Sequence, residues 1–227
     1  MEVFATTRFI VTGGFAFANI RRLPTLELLR SPSMRLRVRC PVSARLLFFL
    51  ALLGCSAAAP PTTVVETLDP RDLYPLSLHN GWSYDVDTGA PPVTLGITRV
   101  ESVNGDRVEV RTGDTLVHYE LSPDGIRVPP DDVWLVRAPL RVGATWPAPG
   151  GRTATLVALD ARADTAAGEF TDCTEVNERG GKLDLEVRTI YCVGVGPVIV
   201  TSTLRSNISE RSITVTATLR GYRVQPR

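Results

Sequence analysis

Much of the sequence after residue 80 alternates apolar and polar residues with a period of two. Near Trp82 it reads WSYDVD, and near Ile213 it reads ITVTATLR. Alternation that is enriched in β-branched residues predicts strands buried on one face. Turn signals such as Asp124-Gly125 and Gly180-Gly181 separate these runs, and nothing after residue 55 keeps a helical period. The pattern therefore indicates an all-β fold.

About ten mostly antiparallel strands are predicted. Large twisted sheets must curl or split, so these strands predict a strongly curled sheet, a half-open barrel or a two-sheet sandwich. The predicted strands lie near residues 82–87, 93–103, 107–111, 115–121, 133–136, 153–159, 169–176, 183–191, 198–204 and 213–220.

One predicted hairpin has an awkward register. A two-residue turn at Asn104-Gly105 would pair Val103 with Asp106 and would place Arg99 on the face of the valines. Either a β-bulge shifts the register by one residue, or the hairpin lies at an exposed edge.

Two short segments resemble each other. PLSLHNGW (75–82) and PLRVGATW (139–146) share the pattern Pro-Leu-x-aliphatic-x-x-x-Trp at an offset of 64 residues. A match of four positions is compatible with two related halves and also with chance.

An apolar run of nine residues, 46–54, precedes this region. As a helix it would be about 14 Å long, too short for the bilayer core of about 30 Å. Arginines without acids precede it from Arg35 to Arg45, and small residues follow it from Ser56 to Pro61. This order is typical of a secretory signal. A buried helix is the alternative.

The end of this run, Leu52-Leu53-Gly54-Cys55, resembles the lipobox of bacterial lipoprotein precursors. The resemblance implies that signal peptidase II cleaves between Gly54 and Cys55 and that Cys55 carries a diacylglyceryl and an N-acyl group. Two or more acyl chains hold a protein firmly on a membrane. Ser56, rather than aspartate, follows the cysteine, which in Gram-negative lipoproteins implies the outer membrane. No other cofactor is predicted.

These features predict a domain organisation. Met34 is a better start for a signal of ordinary length, so residues 1–33 are predicted to be a non-native extension; an authentic extension is the alternative. Residues 34–54 are the predicted signal peptide, 55–70 a lipidated flexible tether and 71–227 a single β domain. Without residues 1–54 the chain has 17 basic and 22 acidic residues, a net charge of −5, which argues against nucleic acid as a partner.

The four cysteines are predicted to have different roles. Cys40 leaves with the signal peptide, and Cys55 carries the lipid. Cys173 and Cys192 flank a turn near Gly180, and facing positions across that turn would pair Thr174 with Tyr191. Disulfides persist outside the cytosol, so we predict a disulfide between Cys173 and Cys192. A redox-active pair is the alternative, although no Cys-x-x-Cys spacing supports it.

A second resemblance covers most of residues 74–198. The phrases YPLSLHNGWSY, APLRVGATW, AGEFTDCTEV and YCVGVGPV are similar to those of uncharacterised secreted or lipid-anchored bacterial domains. This implies an envelope location and no particular activity. A looser similarity of architecture links the predicted sheet to the half-barrels of LolA and LolB.

No catalytic or metal-binding residues are predicted. His79 and His118 lie far apart in sequence without a zinc spacing, and Asp131-Asp132 is read as a solvated pair. The segment Gly194–Val198 lacks the helix and lysine of a phosphate-binding loop.

The tryptophans Trp82, Trp134 and Trp146 either fill the core or line an apolar ligand pocket. The first functional hypothesis is a membrane-anchored envelope lipoprotein that acts as a binding or assembly module, with the membrane and an envelope protein as partners. The second is a carrier of a lipid-like apolar ligand. The third is an enzyme of unknown type.

Overall fold

The computed structural model describes residues 9–11, 16–18, 68–205 and 212–225. The chain divides into two units, and the smaller one, residues 20–61, lies outside the described residues. The predicted signal peptide is within it, so the domain boundaries stay predictions. Two short strands, β1 (Phe9–Val11) and β2 (Ala16–Ala18), pair antiparallel. The alternation pattern did not predict them.

Twelve further strands form one sheet. They are β3 (Gly81–Asp87), β4 (Thr94–Asn104), β5 (Arg107–Thr112), β6 (Thr115–Ser122), β7 (Gly125–Val128), β8 (Val133–Arg137), β9 (Thr145–Ala148), β10 (Arg152–Thr165), β11 (Gly168–Gly180), β12 (Leu185–Cys192), β13 (Gly196–Arg205) and β14 (Ser212–Arg223). Short 3-10 helices span Pro70–Leu73 and Pro149–Gly151. Among the described residues, none of the helices has the length and apolar character needed to span a membrane.

The sheet is antiparallel throughout and nearly closed, like a barrel. Its spatial order is β8-β7-β6-β5-β4-β3-β14-β13-β12-β11-β10-β9, and its edge strands β8 and β9 approach each other. The all-β prediction of a strongly curled, barrel-like sheet is confirmed, and the sandwich alternative is wrong because the strands form one sheet. The count is twelve instead of about ten.

The two strands missed by the sequence pattern are β7 and β9, each of four residues. β7 is too short to show alternation between Asp124 and Pro129. β9 contains Pro147, which cannot donate a hydrogen bond to a sheet and is therefore rare in strands paired on both sides. Because β9 is an edge strand, proline is tolerated there.

The β4–β5 hairpin settles the register question. Asn104 pairs with Arg107 and Val103 with Val108, so the loop residues are Gly105 and Asp106, and the predicted pairing of Val103 with Asp106 is wrong. A register shift follows between Val100 and Ser102. The bulge alternative is therefore confirmed, and both strands lie inside the sheet, each paired on both sides.

The chain enters the sheet at one end, which we call the entry end. Consecutive antiparallel strands alternate in direction, so β3 and the later odd-numbered strands begin there and the even-numbered strands from β4 end there. The first 3-10 helix lies at this end. Its Leu73 and the next residue, Tyr74, are 0% and 3% exposed, and the Tyr74 ring lies 4.9 Å from that of Trp82. These side chains pack into the end of the interior.

Two six-stranded halves, β3–β8 and β9–β14, begin with the same turn. The Asn80 N–H donates to the Ser77 carbonyl at 3.1 Å, and 64 residues later the Ala144 N–H donates to the Arg141 carbonyl at 3.0 Å. The third turn residue has a positive φ in both halves, 70° at His79 and 86° at Gly143. The sequence match therefore reflects a real structural repeat.

The fourth and fifth strands of each half also correspond. Tyr119 and Tyr191 are buried near the ends of β6 and β12, and glycines with positive φ, Gly125 and Gly196, begin β7 and β13. A Cβ atom on Gly196 would lie 2.9 Å from Nε1 of Trp82. This position consequently requires glycine for space as well as for its backbone conformation.

Candidate functional site

The predicted lipid attachment site lies outside the described residues. Gly54, Cys55 and Ser56 fall in the smaller unit, of which no residue is described. Cleavage and acylation therefore remain predictions from the lipobox.

The predicted disulfide is present. Cys173 and Cys192 are joined by an S–S bond of 2.08 Å and have Cα atoms 4.4 Å apart. Thr174 pairs with Tyr191, as predicted from facing positions. Both cysteines are buried, at 0% and 4% exposure, so the bond joins β11 to β12 within the core.

All three tryptophans belong to the hydrophobic core. Trp82, Trp134 and Trp146 are 2%, 7% and 3% exposed. Nε1 of Trp82 donates to the Val195 carbonyl at 2.6 Å, and Nε1 of Trp134 donates to Oδ1 of Asp132 at 3.1 Å. These contacts favour the core interpretation over the predicted ligand pocket.

A buried ion pair lies where β9 joins β10. Nη2 and Nε of Arg152 are 2.9 Å and 3.0 Å from Oε2 of Glu178, and each side chain is 3% exposed. Two glycine turns cover the arginine: a Cβ atom on Gly150 would lie 2.8 Å from Nη1 of Arg152, and one on Gly181 would lie 3.5 Å from its Cγ. The glycines therefore allow the backbone to enclose the guanidinium.

Burial controls the electrostatics of this interior. It raises the pKa of Glu178, and the Arg152 guanidinium opposes that rise in pKa. Burial also raises the pKa of Tyr119, and the Glu178 carboxylate adds to that effect. The Tyr119 hydroxyl and Trp146 Nε1 have no hydrogen-bond partner among the described residues. The Arg152–Glu178 pair, with each side chain 3% exposed, is enclosed in this way and suits a structural role better than proton transfer to a substrate.

The outer face carries a different electrostatic pattern. Three glutamates each lie between two arginines, and hydrogen bonds from arginine side chains lower the pKa of Glu101 and Glu120. At Glu186 the largest effect is the hydrogen bond from the Asn177 side chain, followed by the one from Arg179, and both lower the pKa of the carboxyl. The groups are Arg99–Glu101–Arg111, Arg107–Glu120–Arg127 and Arg179–Glu186–Arg205. These pairs are partly exposed and contribute little individually to stability.

The histidines are not brought together into a site. His79 is exposed on the first entry turn, and His118 points outward from β6 with Nδ1 3.5 Å from Oε1 of Glu109. Asp131 and Asp132 are exposed. Within residues 68–205 and 212–225, no group of three or more potential metal ligands is found.

A cleft of about 520 Å³ opens at the entry end. Its walls are mainly aliphatic, and none of the three tryptophans lines it. The lining residues are Arg71, Leu76, Ser77, Leu78, Val103 and Leu121. Arg71 is paired with Asp69, so a charged pair lies beside an apolar surface.

Two sets of buried polar interactions were not predicted from the sequence. The Arg152–Glu178 pair was not predicted, because a polar residue on an alternating strand is normally assigned to solvent. Asn80 was also missed: it is 0% exposed, its Nδ2 donates to the Pro75 carbonyl at 2.6 Å, and its Oδ1 accepts from the Gln225 N–H at 2.9 Å. The sequence signal that could have identified Asn80 is its position in the repeated segment 75–82.

No protein-family model and no curated protein matches this chain. Among solved structures, the chain is similar to a candidate exported protein with a YmcC-like fold from Bacteroides fragilis, at 14% identity and a TM-score of 0.39. It is also similar to a candidate lipoprotein from Parabacteroides distasonis, at 10% identity and a TM-score of 0.38. Each likeness covers 66% of this chain and 98% of the other. Likenesses at this level do not define an activity.

Proposed function

We propose that this chain is a lipoprotein of the bacterial cell envelope, anchored to the outer membrane through Cys55, whose β domain is a binding or assembly module without catalysis of its own. The observation that carries the proposal is the lipobox Leu52–Cys55 at the end of a basic and then apolar leader. The disulfide between Cys173 and Cys192 supports an oxidising compartment.

The carrier and enzyme alternatives have less support. The tryptophans that a carrier could use to line a cavity are packed in the core, and the cleft at the entry end is an open surface feature of modest size. No specific observation among the described residues favours either alternative. The proposal therefore rests on anchoring, with the partner of the module still to be identified by co-purification.

The anchor is tested with two cysteine variants of the full chain expressed in a Gram-negative host. Cys55→Ala removes the thiol that would be acylated, so we expect a larger, uncleaved product that no longer incorporates labelled fatty acid. Cys40→Ala is the matched control and should be processed like wild type. Unchanged size and labelling of the Cys55→Ala variant would contradict the proposal.

The choice of membrane is tested separately at the next position. Ser56→Asp should retain the lipoprotein in the inner membrane on density-gradient fractionation, whereas Ser56→Ala should fractionate with the outer membrane as wild type does. Wild-type protein found in the inner membrane would overturn the outer-membrane assignment and leave lipidation intact.

A further inference from the structure

Two Asn-Gly sequences lie in different surroundings in the first half of the sheet. Asn80-Gly81 joins the first entry turn to β3, and Asn104-Gly105 lies at the tip of the β4–β5 hairpin. In an Asn-Gly sequence the backbone nitrogen of the glycine attacks the asparagine side-chain amide most readily, because glycine has no side chain that hinders the approach. The surroundings of each pair therefore decide whether it reacts.

The Asn104-Gly105 pair is open to solvent. Both residues are exposed, and a Cβ atom on Gly105 would meet nothing within 4 Å. Among the described residues, neither the Asn104 side chain nor the Gly105 N–H has a hydrogen-bond partner. The side-chain amide and the nitrogen that would attack it are therefore both accessible and unbound.

The hairpin also restrains this tip weakly. Asn104 and Arg107 form the last pair of the β4–β5 ladder, so they are the first to separate when the hairpin opens locally. The Leu121 N–H donates to the Asp106 carbonyl at 2.7 Å, which holds the second loop residue but not Gly105. Local opening lets the Asn104 backbone rotate and brings the Gly105 nitrogen to the side-chain Cγ of Asn104.

The Asn80-Gly81 pair lacks this freedom. Asn80 is 0% exposed, its Nδ2 donates to the Pro75 carbonyl at 2.6 Å, and its Oδ1 accepts from the Gln225 N–H at 2.9 Å. Gly81 is paired on both sides, with β4 and with β14. Reaction at Asn80 therefore requires two buried hydrogen bonds to break and the start of β3 to leave the sheet.

We propose that Asn104 is a site of spontaneous deamidation and that the fold protects Asn80 from the same reaction. The Gly105 nitrogen loses its proton to water and bonds to Cγ of Asn104. The Cγ–Nδ2 bond then breaks, and Nδ2 takes up a proton and leaves as ammonia. Water opens the resulting cyclic imide at either carbonyl, which gives aspartate or isoaspartate. The new carboxylate lies opposite Arg107 in the hairpin, and the inference does not depend on lipid at Cys55.

The test follows both sites in one sample of purified wild-type protein. The folded protein is incubated at mildly alkaline pH in water enriched in heavy oxygen, and it is then digested with trypsin in ordinary water. Trypsin cleaves after arginine, so Asn104 is released within residues 100–107 and Asn80 within residues 72–99. Heavy oxygen in a peptide marks deamidation that took place in the folded protein before the digestion.

We expect labelled aspartate and isoaspartate to form at Asn104 at least about tenfold faster than at Asn80, because reaction at Asn80 must first break two hydrogen bonds. In urea that unfolds the protein, the two sites should react at similar rates. Asn104→Gln, which keeps a side-chain amide, should remove the signal from residues 100–107. Equal rates in the folded protein, faster reaction at Asn80, or no product at Asn104 once the unfolded sample has reacted would overturn the proposal.

Discussion

The two halves of the sheet share a topology and an entry turn but differ in what stabilises them. In the first half, Asn80 connects the turn to Gln225, just after β14, and Trp82 has a hydrogen-bond partner. In the second half, the equivalent Ala144 makes no side-chain bond, whereas a disulfide and the buried Arg152–Glu178 pair join neighbouring strands. The comparison shows that a repeated backbone can be maintained by different chemistry in each copy.

The largest expected effect comes from breaking the buried pair of the second half. Glu178→Ala leaves the Arg152 charge buried and unpaired, so we expect a loss of about 3–5 kcal/mol in the free energy of unfolding. Urea unfolding of the mature protein, followed by tryptophan fluorescence, measures it. The double variant Arg152→Met/Glu178→Leu should recover most of the loss.

Asp85→Ala is the control, at a partly exposed ion pair between β3 and β14 that connects the two halves. It removes the exposed partner of Arg220 and should cost about 1 kcal/mol or less. Equal losses for Glu178→Ala and Asp85→Ala would contradict the special role of the buried pair.

Removing the disulfide should have the next largest effect. The bond joins cysteines 19 residues apart, and Cys173→Ala/Cys192→Ala is expected to lower the free energy of unfolding by about 3 kcal/mol in the chain-entropy model. Hydrogen exchange would locate the effect, with amide protection lost in β11–β13 before β4–β6. Uniform loss across both halves would mean that the bond does not stabilise the second half selectively.

The next test exchanges the residues that have a positive φ in the two repeated turns, His79 and Gly143. It asks whether the two turns are equivalent. Gly143→His places a side chain at φ 86° and should cost about 1–2 kcal/mol, because a Cβ atom at Gly143 meets nothing within 4 Å and only the backbone conformation opposes it. His79→Gly relieves the same strain but adds freedom to the unfolded chain. It should be neutral or slightly stabilising in urea unfolding, and a large loss would contradict the equivalence of the turns.

The smallest expected effect concerns pH. Burial raises the pKa of Glu178 in the folded protein, so the folded state binds more protons than the unfolded state between the unfolded and folded pKa values. Stability from this group therefore falls as pH rises through that interval. Relative to Glu178→Gln, wild type should lose stability as pH rises above the unfolded-state pKa of glutamate, about 4.3. The pKa values of Glu101, Glu120 and Glu186 are lowered. These three groups therefore make stability rise with pH, equally in wild type and in Glu178→Gln.

Alternation predicted most of the strands because each has one face in the core and one in solvent. The two missed strands have different reasons. β7 has four residues and does not alternate in burial. β9 does alternate, but it is only four residues long and contains Pro147, which is compatible with an edge position that the sequence does not specify. At Asn104-Gly105, turn propensity predicted the hairpin, but the loop moved by one residue and a bulge near Glu101 placed Val100 opposite Val110.

The candidate site was less predictable than the fold. The disulfide followed from cysteine positions across one hairpin, which is a local relation. Arg152 and Glu178 also lie across one hairpin, β10–β11, but their burial depends on the closed interior and on two glycine turns that cover the arginine, which the alternation pattern does not predict. The correspondence between β6–β7 and β12–β13 was not visible in the sequence because the spacing differs between the two halves. Tyr119 precedes Gly125 by six residues, whereas Tyr191 precedes Gly196 by five.

Intact mass spectrometry of membrane-extracted protein under non-reducing conditions tests the anchored, oxidised form most directly. The account predicts a chain that begins at Cys55, carries one diacylglyceryl and one N-acyl group, and lacks the two hydrogens removed by the Cys173–Cys192 bond. A chain that retains residues before Cys55, or a Cys55 without lipid, would contradict it.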